Sequence, residues 1–445
     1  MIEFQIMDKS FFTGKKITLM GLGLLGRGVG DAKWLAEQGA ILTITDLKSE
    51  KELATSIKKL TKFKNIKYVL GRHSEKDFIS ADLVIKSAGV PQDSKFLKVA
   101  QKNKVPIFMS TALFAKMVPE GVKIIGITGT RGKSTTTHLI YHLLKSAGKR
   151  VLLGGNVRGM STLALLDKVQ SGDHLVLELD SWQLQGFGDL KISPQVSVFT
   201  TFMPDHLNYY KGRMDKYFKD KANIYRWQKK NDLLIAGHEV APLIKKNLYN
   251  FKGCLLVIKD KNIPKSERLI GKHNKLNIAL AFAVGRKLGL STSELKSSLK
   301  TFPGVSGRLE FLGEKRKIRF YNDTTATTPE ATLSALKSFP KNKVILIAGG
   351  SDKGLDYKNL VKIIPRQVKS LIFLPGRATD KIISILPKKF NFFTSHNMAQ
   401  AVKKAFSLAK PGDVILLSPA AASFGLFKNE FDRGDKFISE VERVK

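Results

Sequence analysis

The sequence predicts an α/β protein built from three successive blocks, each a parallel sheet flanked by helices. Three observations predict it. Short β-branched runs alternate with helical patterns along the whole chain, as in strand–helix–strand units. Two early strands, Lys16 to Met20 and Val122 to Thr128, run directly into glycine turns and then into helices. At 445 residues the chain also exceeds what one hydrophobic core usually supports.

The first block, residues 1–116, starts with the strand Lys16 to Met20 and turns at Gly21-Leu-Gly23. A helix to about Gln38 follows, then a strand Ile41 to Thr45 and strands near Val84 and Ile107. The second block, residues 117–303, has strands at Val122 to Thr128, Leu175 to Leu179 and Val196 to Thr200. Its helices run from Lys133 and from Asn274 to about Leu288. Thr301-Phe-Pro-Gly-Val-Ser-Gly307 has the turn residues of a linker. The third block, residues 304–445, alternates strands at Ile318 to Tyr321, Val344 to Ala348, Leu371 to Leu374 and Val414 to Leu417 with helices. Those helices begin near Pro329, Tyr357, Thr379 and Asn397, giving a second doubly wound unit.

Composition bounds the function. Apolar and charged fractions of 43% and 25% are those of a soluble globular protein, and no apolar run approaches the length that crosses a bilayer. The start, MIEFQIMDKSFFTG, lacks the pattern of a signal peptide, so a cytoplasmic protein without membrane insertion is expected. A single cysteine, Cys254, excludes an internal disulfide framework and a cysteine-rich metal site. The net charge of +37 would ordinarily raise nucleic acid as a partner. The lysines are instead spread over every segment, as in Lys58-Lys59, Lys229-Lys230, Lys245-Lys246 and Lys403-Lys404, with no basic tail. That pattern reads as a solvated surface, and no specific nucleic-acid partner is expected.

The chemistry centres on Gly129-Thr130-Arg131-Gly132-Lys133-Ser134-Thr135. Strand, glycine turn, Gly-Lys-Ser and helix together aim backbone N–H groups and a lysine at phosphates, with a serine hydroxyl available to Mg²⁺. Ile127 occupies the first-glycine position of the general motif, which implies a tighter loop. Gly21-Leu-Gly23-Leu24-Leu25-Gly26 resembles a dinucleotide fingerprint, with Asp46 where a ribose-binding acid would sit. No hydride-transfer constellation accompanies it, so a nucleotide-tagged substrate is the better reading. Glu178 ends a strand of the second block, Asp205-His206 follows another, and Lys221 sits on the helix after that. Glu178 alone also reads as an ion-pair member and His206 as structural, but beside a phosphate loop metal ligation is the better reading for both. Asn274, Asn277, Arg308 and Asp323 lie around the linker, where a nucleotide would be contacted, although each also reads as a cap, surface charge or turn residue. Gly349-Gly350-Ser351-Asp352-Lys353-Gly354 and Ser418-Pro-Ala-Ala-Ala-Ser423 follow strands and suit a small acidic molecule.

The segments GTRGKST, LELDSWQLQ, DHLN, YFKDKANIY, GKHNKLNIALA, FYNDTTAT, GGSDKG and SPAAAS together resemble the Mur ligases of cell-wall synthesis, in that family's order and across the whole chain. The glycine-rich first block and GGSDKG resemble most the members that add D-glutamate. The resemblance implies a three-domain architecture: a Rossmann-like N-terminal domain, a central P-loop ATPase-like domain and a Rossmann-like C-terminal domain. It implies ATP-driven activation of the carboxylate of UDP-N-acetylmuramoyl-L-alanine as an acyl phosphate, attacked by the amine of D-glutamate, by a monomeric enzyme. Carried over by motif, Lys133 contacts phosphates. Ser134, Glu178, His206 and a carbamylated Lys221 hold two Mg²⁺ ions. Asn274, Asn277, Arg308 and Asp323 contact ATP. Gly23, Leu24, Leu25, Asp46, Lys48, Gly89 and Asn156 would contact the uridine-linked substrate, and Thr325, Lys353, Ser423 and Phe424 the incoming amino acid. The chain departs from the family pattern at Thr325, where a lysine is usual, at Lys48 for arginine, at Arg158, and at Glu430-Phe431. Two rival readings are another amino-acid ligase of the superfamily with a different acidic acceptor, of L-glutamate or folylpolyglutamate type, and a non-catalytic nucleotide-binding protein.

Overall fold

A computed structural model describes residues 8–24, 26–248, 251–266 and 268–444. The candidate Leu25 lies outside these residues. The first sheet is formed by β1 Lys16–Met20, β2 Ile41–Asp46, β3 Ile66–Leu70, β4 Leu83–Lys86 and β5 Ile107–Met109. They are parallel in the order β3-β2-β1-β4-β5. The second comprises β6 Lys123–Thr128, β7 Val151–Gly155, β8 His174–Glu178, β9 Val196–Phe199, β10 Leu233–Gly237 and β11 Cys254–Ile258. These too are parallel, in the order β11-β10-β9-β6-β8-β7.

The third sheet contains β12 Glu310–Lys315, β13 Ile318–Asn322, β14 Val344–Gly349, β15 Val368–Leu374, β16 Phe392–Thr394 and β17 Val414–Leu417, ordered β12-β13-β17-β14-β15-β16. Here the expectation of a wholly parallel sheet is corrected, because β12 and β13 are antiparallel. Only Arg316 and Lys317 separate them, with φ of +50° and +60°, and two consecutive left-handed residues make the tight turn whose twist matches a hairpin.

Burial explains which strands the sequence reveals. Central strands such as β14, Val-Ile-Leu-Ile-Ala-Gly, are buried at every position and read as apolar runs. The edge strands β3, β7 and β11 are largely half-exposed, so their pattern blurs into neighbouring turns.

The chain falls into two compact units. One runs to Asp260 and includes Leu276–Ser298, and it holds the first two sheets. The other joins Lys261–Lys275 to the chain from Leu299 onward and holds the third. In the first unit a continuous apolar cluster runs from Ile17, Ile44 and Ile85 of one sheet to Leu177, Leu184 and Phe199 of the other layer. Polar ties cross the same seam: the Ser161 hydroxyl donates to Asp31 Oδ1 at 2.5 Å, and Gln183 Nε2 donates to Thr111 Oγ1 at 3.1 Å. In the second unit alternate residues of the sheet feed cores on its two faces, Leu346 and Phe373 on one, Ile345 and Ile372 on the other. No helix among the described residues is long and apolar enough to cross a membrane.

Candidate active site

The glycine loop follows β6 and ends at the N-terminus of the helix Lys133–Ser146. Gly129 has φ +145°, and a Cβ there would lie 1.9 Å from Thr200 Oγ1. Gly132 caps the helix with φ +87°, and a Cβ would meet Asn277 Oδ1 at 2.4 Å. Both positions therefore exclude side chains on two grounds, backbone handedness and space. The loop is pinned to the segment after β9. Thr130 N–H donates to Thr201 O (2.8 Å), Arg131 N–H to Thr201 Oγ1 (3.0 Å), and the Thr200 hydroxyl to Arg131 O (2.5 Å). Lys133 curls over the loop, donating to the carbonyls of Gly129 (3.0 Å) and Thr130 (3.1 Å). Ser134 is buried in the first turn, Thr135 is half-buried beside it, and the Thr136 hydroxyl reaches Asn277 Oδ1 at 3.4 Å.

Three further candidates converge on this loop. The register of β6 with β8 sets Glu178 opposite Ile127, two residues before Gly129. Glu178 is 3% exposed and accepts from Asn156 Nδ2 at 3.4 Å. Asn156 in turn accepts from Arg27 Nη1 at 2.6 Å. Lys221, 1% exposed on the helix Met214–Ala222, donates from Nζ to Gly129 O at 2.8 Å and lies 4.9 Å from the Tyr217 ring centroid. Burial, reinforced by the charge of Lys133, pushes its ammonium well below the usual lysine range. His206 sits with φ +53° in the loop after β9, its ring 4.7 Å from that of Trp182. Burial lowers its pKa, as do the cations Lys133 and Lys221, against the raising effect of Asp205.

Tyr217 is absent from the sequence-derived candidates. It is 1% exposed, and its hydroxyl lies 3.3 Å from Thr130 Oγ1, so it props the loop from below. Its signal was legible: it precedes Lys221 by one helical turn and so shares its face.

In the first block Asp46 is buried and its carboxylate is engaged by backbone. Oδ2 accepts from Leu22 N–H (3.0 Å) and Gly23 N–H (3.1 Å), and Oδ1 from Lys48 N–H (2.9 Å). This fixes the glycine turn against the end of β2. A cavity of about 190 Å³ opens beside it, lined by Gly23, Leu24, Arg27, Asp31 and Gly89 among others. Asp46 and Lys48 do not line it.

In the second unit Asp323 directly follows β13, buried, accepting from Leu309 N–H (3.1 Å) and the Ser418 hydroxyl (2.8 Å). Burial lifts its carboxyl to about 7. Arg308 is exposed close by, and Asn274 is buried, donating to Ile270 O at 2.7 Å. Thr325 donates its hydroxyl to Gly307 O (2.8 Å), and Lys353 Nζ donates to Thr327 Oγ1 (3.3 Å). Ser423 is 4% exposed and Phe424 64% exposed. Arg433, a second residue the sequence reading omits, is fully buried on the helix Glu430–Arg443 and ties two of these loops together. It donates to Thr324 O (2.8 Å), Thr324 Oγ1 (3.1 Å) and Ala421 O (3.1 Å).

Three family models match in order. They are the Mur ligase MurD-like N-terminal domain over residues 15–109, the Mur ligase middle domain over 127–252, and the Mur ligase glutamate ligase domain over 307–421. The UDP-N-acetylmuramoylalanine–D-glutamate ligase of Borreliella afzelii (strain PKo) is 38% identical over 451 residues, covering 96% of this chain and 97% of its own. The chain belongs to the Mur ligase family. Among solved Mur ligases, the UDP-N-acetylmuramate-alanine ligase MurC of Thermotoga maritima superposes with a TM-score of 0.62 at 19% identity, covering 97% of this chain and 100% of that one. The MurF ligase of T. maritima in complex with ADP does so with a TM-score of 0.59 at 16% identity, covering 98% and 97%. Within the Mur ligase framework, the phosphate loop, Asn156, Glu178, His206 and Lys221 all fall in the middle-domain match. Arg308, Asp323, Thr325 and Lys353 fall in the glutamate ligase domain match, and Ser423 and Phe424 lie just beyond it.

Proposed function

We propose that this Mur ligase joins D-glutamate to UDP-N-acetylmuramoyl-L-alanine with cleavage of ATP to ADP and phosphate, in peptidoglycan precursor synthesis. The observation that carries the reading is the convergence of Lys133, Lys221, Glu178 and His206 on one glycine loop, in a chain near full-length similar to ligases of that name.

A carboxylate is a poor electrophile. In the reading adopted here its oxygen attacks the γ-phosphorus, the bond to the β,γ-bridging oxygen breaks, and ADP departs. The glutamate amine then attacks the carbonyl carbon of the acyl phosphate, phosphate leaves with the C–O pair, and the nitrogen loses a proton. The N–H groups of the loop and the Lys133 ammonium offset charge on the phosphoryl oxygens.

The donor set fits Mg²⁺. Glu178 is a buried carboxylate with one neutral amide partner, and Ser134 presents a hydroxyl in the first helical turn. Mg²⁺ characteristically takes one or two protein ligands and completes its shell from phosphate and water. Such an ion would supply further charge neutralisation at the transferred group. We assign His206 to a second ion and read Lys221 as a carbamate. The Lys221 amine is enclosed, and it makes no ion pair among the described residues. Carbamylation would convert it to an anion suited to bridge to the metal.

Around the site, Gly23, Leu24, Gly89 and Asn156 are assigned to the uridine-linked substrate, and Lys353, Ser423 and Thr325 to glutamate. Blocks at 1–116, 117–303 and 304–445 are the proposed domain boundaries, in a monomeric cytoplasmic enzyme. The test is phosphate release from ATP with UDP-N-acetylmuramoyl-L-alanine and a panel of amino acids. D-glutamate should drive turnover, and Lys133→Ala should lower kcat by about 10²–10³-fold. Release driven by a different amino acid and not by D-glutamate would sink the acceptor assignment.

A further inference from the structure

We infer that Asp220, through hydrogen bonds to Gln185 and Tyr210, is a positioning residue that holds Lys221 and His206 in register with the phosphate loop. The inference rests on the functional reading above, which gives those two residues their roles.

Asp220 immediately precedes Lys221 on the helix Met214–Ala222. Successive helical side chains point about 100° apart, so the rotation that aims Lys221 at Gly129 O turns Asp220 away from the loop. There one oxygen, Oδ2, accepts from Gln185 Nε2 at 2.8 Å and from the Tyr210 hydroxyl at 3.0 Å. Gln185 is 3% exposed on the helix Ser181–Asp189, which begins three residues after Glu178. Tyr210, 5% exposed, closes the turn that starts at His206, its N–H donating to His206 O at 3.1 Å.

A single carboxylate oxygen therefore joins the three segments that carry Glu178, His206 and Lys221. Other contacts hold these segments as well, among them Asn223 Nδ2 donating to Leu184 O at 3.0 Å and the Tyr210 ring 5.1 Å from that of Tyr217, but Asp220 joins all three through one atom. His206 stands in a left-handed conformation, as does Lys211 at the end of the same loop, and a loop with two such residues reaches its shape only when neighbours impose it. Gln185 adds a second tie to this loop, donating from Nε2 to the Tyr209 hydroxyl at 3.2 Å. Fixing the rotation of one helix and the closure of one loop with the same atom couples the placement of the two active groups. Small displacements of reacting groups are costly in rate and cost little in binding of the remote parts of a substrate.

The experiment measures D-glutamate-dependent phosphate release by the full chain and by Asp220→Ala, Tyr210→Phe and Asp220→Asn, with ATP affinity by calorimetry. Asparagine keeps a carbonyl oxygen able to accept both hydrogen bonds, whereas alanine keeps none. Tyr210→Phe removes one hydroxyl and guards against a folding failure in the alanine variant. Expected are a fall in kcat of roughly ten- to a hundredfold in Asp220→Ala and Tyr210→Phe, KM for the uridine-linked substrate and ATP affinity within about twofold, and recovery in Asp220→Asn. Wild-type kcat in Tyr210→Phe, or an Asp220→Asn variant as impaired as Asp220→Ala, would overturn the inference. A wild-type chain that releases no phosphate with D-glutamate would overturn the functional reading itself, and with it this one.

Discussion

Gly132 concentrates what the phosphate loop demands of a single residue. With φ at +87°, any L side chain costs about 1–2 kcal/mol in backbone strain alone. The added Cβ would also stand 2.4 Å from Asn277 Oδ1, itself buried. Gly132→Ala is expected to weaken ATP binding at least tenfold, since the loop must shift to admit the methyl group; calorimetry giving wild-type affinity would contradict this. Lys221→Ala is expected to lose turnover and to regain part of it with short carboxylates such as formate, because the enclosed space left by the side chain can admit the anion that a carbamate would supply. Full activity without added carboxylate would count against the carbamate. The loop was legible in the sequence because its constraints are local, a strand, two left-handed glycines and a helix start within a few residues. The tie from Asp220 to Gln185 and Tyr210 was not: its partners lie 35 and 10 residues away, and although Asp220 and Gln185 fall inside two of the matching segments, nothing in the sequence pairs one with the other. Asp46 illustrates an intermediate case: its position at the end of β2 was readable, but its use of both oxygens on Leu22, Gly23 and Lys48 N–H groups depends on how the glycine turn folds back.

At the scale of elements, β13 delivers Asp323 into a site where burial outweighs two hydrogen bonds and the nearby Arg308, raising its carboxyl to about 7. In the folded chain the acid keeps its proton up to that pH, while in the unfolded chain it releases it near its ordinary 3.8. Protons are thus bound preferentially by the fold between about pH 4 and about pH 7, so this group's contribution to stability falls as pH rises through that window and is flat above it. Asp323→Asn retains an acceptor for Leu309 N–H and a group able to pair with Ser418. Its thermal midpoint should lose that part of the decline; parallel pH profiles for the two proteins would refute the assignment. The elements themselves divide by burial. Central strands such as β6 and β14 announce themselves through apolar runs, whereas β12 was missed because Glu310–Lys315 mixes charge with half-buried positions, and its antiparallel pairing is decided by the two-residue turn at Arg316 and Lys317.

Across the whole molecule, periodicity reveals three sheets but not which of them share a core. The first two merge because apolar faces that each helix presents, among them Leu35, Leu113, Leu163 and Leu184, belong to one cluster. The third sheet has cores on both faces, supplied by its own strands and helices. With one cysteine in the chain, no internal disulfide staples these units. Each has the attribute that lets a domain unfold on its own, a separate hydrophobic interior, and a chain of this kind departs from two-state behaviour. The tryptophans supply an internal probe of this. Trp34, Trp182 and Trp227 all lie in the first unit, whereas helices and strands occur in both. Urea unfolding without ligand should therefore give a tryptophan fluorescence transition that does not coincide with the far-ultraviolet circular dichroism transition, the latter containing a component from the second unit. Superimposable curves would mean that the two units melt as one cooperative body, and that the separate cores do not confer separate stability.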